Sequence, residues 1–184
     1  ENIPSDLTAE QILIRSGNIG SIRIAQKVGQ DKFKKFLNDL GLQGTIDFDI
    51  EEIGTPLKFK WGKCKLATSA YGHGITTTLL QLAKGYSIVS NGGYDIRPTL
   101  ILNEKKREIT YQRIISNDVS NKVNLALRKI VTTKEGTANF ANIDGYEVAG
   151  KTGTAQKSVS GGYSKKKINT FASIFPTSDP KYVL

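Results

Sequence analysis

The dominant periodicity of the apolar residues changes late in this chain, and that change constrains the fold more than any other feature. Up to about residue 135 most apolar stretches recur every three or four residues, the spacing of one helix face. After Gly136 they alternate, the spacing of a strand with one covered face. Helices first, then strands with short connections, predict an α+β domain with an antiparallel sheet packed with helices. The expected division is a helical part over about 1–135 and sheet strands over about 145–184, with 1–184 the C-terminal portion of a single domain.

Local signals place the elements. Thr8 and Gln11 match a capping box and predict a short helix through Ile12, Leu13 and Ile14. Ser16-Gly17-Asn18 reads as a turn. Ile19, Ile22, Ile24, Ala25 and Val28 predict a second helix, closed by Gly29. Asp31 is expected to cap a third, carrying Phe33, Phe36, Leu37 and Leu40, which Gly41 stops. Residues 42–70 read as irregular, broken by Gly44, Gly54, Pro56 and Gly62. A helix is expected over 76–90, ended by Asn91-Gly92-Gly93. Residues 97–102 and 109–115 read as strands, and Ser116 caps a helix reaching Val131. Strands are then expected from Tyr146 through Thr154 and over 168–175, with a loop over 158–167 between them. A third strand starts at Tyr182.

Composition removes several function classes. Lys and Arg number 26 against 17 Asp and Glu, a net charge of +9. Such a balance suits nucleic acid, an anionic membrane surface or an acidic polymer. However, Lys34-Lys35, Lys105-Lys106-Arg107 and Lys165-Lys166-Lys167 lack the interleaved aromatics of a base-stacking platform, so they read as solvated faces and no nucleic-acid partner is expected. Cys64 is the only cysteine, which excludes an internal disulfide and a cysteine-based metal site. His73 is the only histidine, so a Ser-His-Asp triad is excluded unless His73 serves it. Between Gly72 and Gly74 it reads as a packing residue in a tight turn. Trp61 and Phe59 read as cover for a core edge. No run of apolar residues is long enough to span a membrane.

Residues 145–152, Gly-Tyr-Glu-Val-Ala-Gly-Lys-Thr, match a phosphate-binding loop in letters. The mechanism needs a buried strand before the first glycine and a helix starting at the Lys-Thr. Ala141-Asn142-Ile143-Asp144 is a poor buried strand, and Gly153 with a Gly- and Ser-rich stretch follows, so the flanks contradict the motif. Lys151-Thr152-Gly153 on a strand supports other chemistry. The lysine and the threonine hydroxyl can hold a carboxylate. The glycine lets a ligand approach the backbone, and the Thr154 N–H can help stabilise an oxyanion. A bare Lys-Thr-Gly is most simply a solvated strand end.

Its context changes that balance. Ser16-Gly17-Asn18 lies far upstream. Between the two come Gly72-His73-Gly74-Ile75, Thr78-Leu79-Leu80-Gln81-Leu82-Ala83, Tyr86, Asn91-Gly92-Gly93, Pro98 and Gly136-Thr137-Ala138. In order and spacing these motifs resemble class B penicillin-binding proteins, whose wider family carries S-x-x-K, S-x-N and K-T-G signatures. The resemblance runs from about Thr8 to Leu184. Gly161-Gly162-Tyr163, Asn169-Thr170-Phe171, Phe175-Pro176 and Asp179-Pro180-Lys181-Tyr182 look most like the septal, penicillin-binding protein 3 type.

The resemblance implies the penicillin-binding protein/β-lactamase-like fold and a serine D,D-transpeptidase. Such an enzyme attacks the D-Ala-D-Ala end of a peptidoglycan stem peptide, forms an acyl-enzyme, cross-links stems and is acylated by β-lactams. It implies that Ser16 passes protons to the leaving group and that Asn18 hydrogen-bonds the acyl side of the substrate. Lys151 would supply charge and order Ser16. Thr152 and Thr154 would contact the substrate carboxylate beside Gly153, and the Thr154 N–H would form half an oxyanion hole. It implies no metal or cofactor. The implied partners are a lipid-linked glycan polymerase and division proteins. The implied location is the extracytoplasmic, periplasmic face of the inner membrane, on an N-terminal anchor.

One departure is large. The S-x-x-K serine is expected before Glu1. Ser164-Lys165-Lys166-Lys167 and Ser178-Asp179-Pro180-Lys181 match its letters, but both follow Lys-Thr-Gly, and Pro180 forbids a helix interior. The 184 residues alone are therefore expected to lack a nucleophile and to be inactive. The rivals are a β-lactamase or D,D-carboxypeptidase of the same fold, a catalytically silent binding or scaffold module, and a nucleotide-binding protein acting through 145–152. ATP is predicted to leave the thermal melting temperature unchanged; an ATP-dependent rise would restore the phosphate-loop reading.

Overall fold

The computed structural model describes residues 4–51, 54–57, 61, 62, 64–102, 111–159 and 162–184. In chain order the elements are α1 (Ala9–Ile14), α2 (Asn18–Val28), α3 (Gln30–Asp39), α4 (Lys65–Ser69), α5 (Leu79–Ser90), α6 (Asn117–Thr132), a 3-10 turn (Asn139–Ala141), β1 (Ala149–Val159), β2 (Gly162–Phe175) and β3 (Tyr182–Val183). The chain forms two compact units. One comprises Glu1–Ser21 with Asn124–Leu184, and the other Ile22–Val123. The chain passes between them within α2 and again within α6.

The first unit holds the sheet. Its α1 begins at the expected capping box, where Thr8 Oγ1 accepts from the Gln11 N–H at 3.2 Å and Gln11 Oε1 accepts from the Thr8 N–H at 2.8 Å. The C-terminal half of α6 buries Ala126, Leu127, Ile130 and Val131, one helical stripe. The strand order is β1-β2-β3. β1 runs antiparallel to β2 from Ala149↔Ile174 to Val159↔Gly162, with a register shift between Gln156 and Ser158. The pair Ala149 and Ile174 is fully buried. An isoleucine so placed contributes about 1.5–3 kcal/mol relative to exposure. Arg128 Nη1 donates to the Val148 carbonyl at 2.6 Å, tying α6 to the residue that precedes β1.

The second unit centres on fully buried Ile88 and Gln81 of α5. Thr78 and Gln81 form a second capping box, and Gln81 Nε2 also donates to the carbonyls of Gly41 and Gly44, at 3.0 and 2.9 Å. A buried amide with its hydrogen bonds satisfied avoids the cost of an orphaned polar group. Buried Ser120 accepts from the Gly92 N–H and donates to the Val89 carbonyl, closing the turn after α5. His73 sits between Gly72 and Gly74, both at positive φ, and its ring stacks on Tyr71 at 6.0 Å. Trp61 meets Phe33 edge-on at 6.5 Å, and Phe59 lies outside the described residues.

Several boundaries differ from expectation, each for a local reason. Gly29, not Asp31, is the N-cap of α3, and Asp31 lies in the first turn. α5 starts at Leu79 rather than 76, because the Thr78 box defines its first turn. The stretch read as irregular contains α4. Residues 97–102 are not a strand. The backbone there serves Asp49 instead, whose carboxylate takes the Thr99 hydroxyl and the Leu100 N–H, while Arg97 spans Asp47 and Asp49. Of the second expected strand, residues 109 and 110 lie outside the description, and only Arg113 bridges to Tyr94. β1 begins at Ala149 rather than Tyr146, since the Glu147 carbonyl is taken by the Thr177 N–H and hydroxyl. The expected loop over 158–167 is mostly strand, because β1 and β2 continue their ladder to Val159↔Gly162.

The Thr99 hydroxyl, the Leu100 N–H and the Arg97 guanidinium hold the Asp49 pKa at about 2, below the ordinary 3.8. The folded state therefore prefers ionised Asp49, and that stabilisation is complete above pH 3.8 and lost as pH falls towards 2. Denaturation midpoints of wild type and Asp49→Asn, followed between these limits, are expected to converge as the pH drops. A constant gap would refute the assignment.

Candidate active site

The first unit brings Ser16 and Lys151 together from 135 residues apart. Lys151 Nζ donates to Ser16 Oγ at 2.7 Å and to the Thr152 carbonyl at 2.9 Å. Both ends of this contact are set by backbone. Ser16 follows the C-cap of α1 with φ of 57°, a left-handed conformation that glycine ordinarily occupies. Its N–H donates to the Leu13 carbonyl at 3.1 Å, and the Gly17 N–H donates to the Ile12 carbonyl at 2.9 Å. That is the Schellman pattern, with a serine at the position glycine prefers. A non-glycine residue held there is strained, and such strain clusters at functional sites. Gly20 in the next turn lies so close to α1 that a Cβ would meet the Ile12 side chain at 2.6 Å.

Lys151 lies near the start of β1, an edge strand of the described sheet. Burial pushes its pKa below the ordinary lysine value. A partly desolvated ammonium that donates to a serine oxygen leaves the hydroxyl proton free to be passed on, the arrangement of a proton relay. The other expected residues fall along the same strand. Thr152 shares a 2.7 Å hydrogen bond with the Thr137 hydroxyl. Thr154 is exposed, and its hydroxyl donates to Asn169 Oδ1 at 3.1 Å. Gly153 has a reason beyond ligand access, because a Cβ there would meet Thr170 Oγ1 at 2.6 Å. Asn18 is exposed at the first residue of α2, and among the described residues its side chain makes no hydrogen bond to Ser16 or Lys151.

Thr137 escaped the sequence reading as a site residue, because nothing in its local pattern links it to a strand 15 residues later. Neither letter match to S-x-x-K lies on a helix: Ser164 is in β2, and Ser178 hydrogen-bonds Glu147 after that strand has ended. β1 runs straight through Lys151 and Thr152, so no helix opens at the apparent phosphate loop. Among the described residues no group of three His, Cys, Asp or Glu could hold a metal ion, and no helix is long and apolar enough to cross a membrane.

The description of the penicillin-binding protein transpeptidase domain matches residues 1–184. The chain belongs to this family. It is 30% identical over 188 residues to stage V sporulation protein D of Bacillus subtilis, covering 95% of this chain and 29% of that protein. It is also 30% identical to the peptidoglycan D,D-transpeptidase FtsI homolog of Mesostigma viride, covering 98% of this chain and 35% of that one. The chain thus spans about a third of these relatives. Among solved structures, the TP domain of Burkholderia pseudomallei penicillin-binding protein 3 superposes with a TM-score of 0.89 at 28% identity, over 96% of this chain and 54% of that one. Penicillin-binding protein 3 of Mycobacterium tuberculosis, solved with aztreonam, gives 0.86 at 27% identity, over 96% and 44%. The helices and antiparallel sheet described above have the α+β fold of these transpeptidase domains.

The strained serine gives a stability test. Ser16→Gly relieves the left-handed strain, whereas Ser16→Ala keeps it, and both remove the hydroxyl. In urea denaturation the glycine variant is expected to be more stable than the alanine variant by about 1 kcal/mol. Equal or reversed stabilities would contradict the assigned backbone.

Proposed function

We propose that the chain is the C-terminal portion of a serine D,D-transpeptidase that cross-links peptidoglycan stem peptides and is acylated by β-lactams. The observation that carries this reading is the hydrogen bond from Lys151 to Ser16. It joins the lysine of Lys-Thr-Gly to the serine of Ser-Gly-Asn, the pair that the family's chemistry requires. The acylated serine lies outside these 184 residues, on a helix whose lysine activates it. Ser16 passes the proton between the two lysines, that one and Lys151, and the leaving amine. Lys151 keeps the Ser16 oxygen oriented and supplies positive charge for the substrate carboxylate, which Thr152 and Thr154 also contact. Asn18 holds the acyl side, and the Thr154 N–H supplies one oxyanion donor.

The D,D-transpeptidase name of the Mesostigma relative and the aztreonam bound to the Mycobacterium structure support the substrate and inhibitor classes. By the same resemblance the protein works at the extracytoplasmic face of a membrane, anchored by an N-terminal segment. Its partners there are a lipid-linked glycan polymerase and division proteins.

Labelling with a fluorescent penicillin tests the reading. The full-length protein is expected to label and residues 1–184 alone to remain dark. Ser16→Ala and Lys151→Ala in the full-length protein are expected to slow labelling by about a hundredfold or more, the scale of a lost acid–base group. Wild-type rates in both variants would remove the proposed relay, and a folded but unlabelled full-length protein would remove the transpeptidase reading.

A further inference from the structure

We infer that Thr137 is a positioning residue that aims the Thr152 hydroxyl at the carboxylate of the substrate; this rests on the transpeptidase reading above. Thr137 Oγ1 and Thr152 Oγ1 are 2.7 Å apart. The segment that carries Thr137 is pinned by the unfinished C-terminal turn of α6. The Ala138 N–H donates to the Ile130 carbonyl at 3.2 Å, and the Gly136 N–H to the Thr133 carbonyl at 3.0 Å. Asn139 Nδ2 donates to the carbonyls of Val131 and Thr133. Carbonyls that a helix end leaves open are thus used to hold this one segment. The fit is close: a Cβ on Gly136 would lie 2.0 Å from the Ile130 carbonyl oxygen, and Ala138 is fully buried. Thr137 is held on both sides, while its own side chain remains exposed.

The proton count then fixes the direction. A threonine hydroxyl has one proton and two lone pairs. If Thr152 donates to Thr137, it has nothing to give a carboxylate. If Thr137 donates to Thr152, the Thr152 proton is directed away from Thr137 and is polarised by the incoming bond. An anion arriving beside Lys151 selects the second arrangement, giving Thr137 to Thr152 to carboxylate. Thr137 need not touch the substrate to act.

The test compares acylation of the full-length protein by benzylpenicillin, which carries the carboxylate, and by its methyl ester, which does not, followed by intact-protein mass. Thr137→Val is expected to slow benzylpenicillin by about fivefold to tenfold, the worth of one hydrogen bond, and to leave the ester rate essentially unchanged. Thr137→Ser is expected to restore the benzylpenicillin rate. In a Thr152→Val background, Thr137→Val is expected to add nothing, because its route is gone. Because the two probes are compared within one variant, partial loss of folded protein cancels; if Thr137→Val does not fold, Thr137→Ala replaces it under the same ratio. Equal losses for both probes, or an undiminished loss in the Thr152→Val background, would overturn the inference and leave Thr137 a structural residue. A wild-type protein that benzylpenicillin does not acylate would overturn the transpeptidase reading and this inference with it.

Discussion

The hydrogen bond from Lys151 to Ser16 depends on two pieces of backbone with no freedom to spare. One is a helix end that places a serine in a left-handed conformation. The other is an edge strand whose position is set at its base by the buried pair Ala149 and Ile174 and by Arg128 on the Val148 carbonyl. Neither end of the contact can shift without disturbing hydrogen bonds that close α1 or start β1. A lysine on a solvated loop would spend its rotamer entropy finding the same serine. Here much of that ordering is done by the fold.

Other charged contacts of the first unit belong to a different class. Lys129 with Glu10 and Arg15 with Glu135 are exposed or half-exposed pairs that join α1 to the end of α6. Such pairs contribute little on their own. Lys151 differs because burial lowers its pKa while a neutral hydroxyl accepts its hydrogen bond. That combination suits proton exchange better than cohesion. The hydroxyl pair of Thr137 and Thr152 extends the polar line along the same strand without adding charge.

Much of the fold was readable because its signals are local. The Thr8–Gln11 pattern became a capping box, and Gly29 and Gly41 take the positive φ angles that end α2 and α3. The misreadings occurred where a distant group changed how the backbone was used. Arg97-Pro98-Thr99-Leu100-Ile101-Leu102 looks like a strand, but Asp49 recruits its polar groups, leaving Leu100, Ile101 and Leu102 exposed. The Gly-, Ser- and Lys-rich stretch after Lys151 looks like a loop, yet two strands meeting in register hold most of it extended.

Of the candidate site, the sequence alone named Ser16, Asn18, Lys151, Thr152, Gly153 and Thr154, because short motifs in a fixed order carry the family's chemistry. The Thr8 cap, the stop glycines and the change from helical to strand period were likewise determined residue by residue. Tertiary structure decided that Lys151 reaches Ser16, that Thr137 meets Thr152, and that Gly153 must clear Thr170. The physical reason is range. A cap or a turn is settled by atoms a few residues apart, whereas a contact across 135 residues exists only after the helix end and the strand have been brought together.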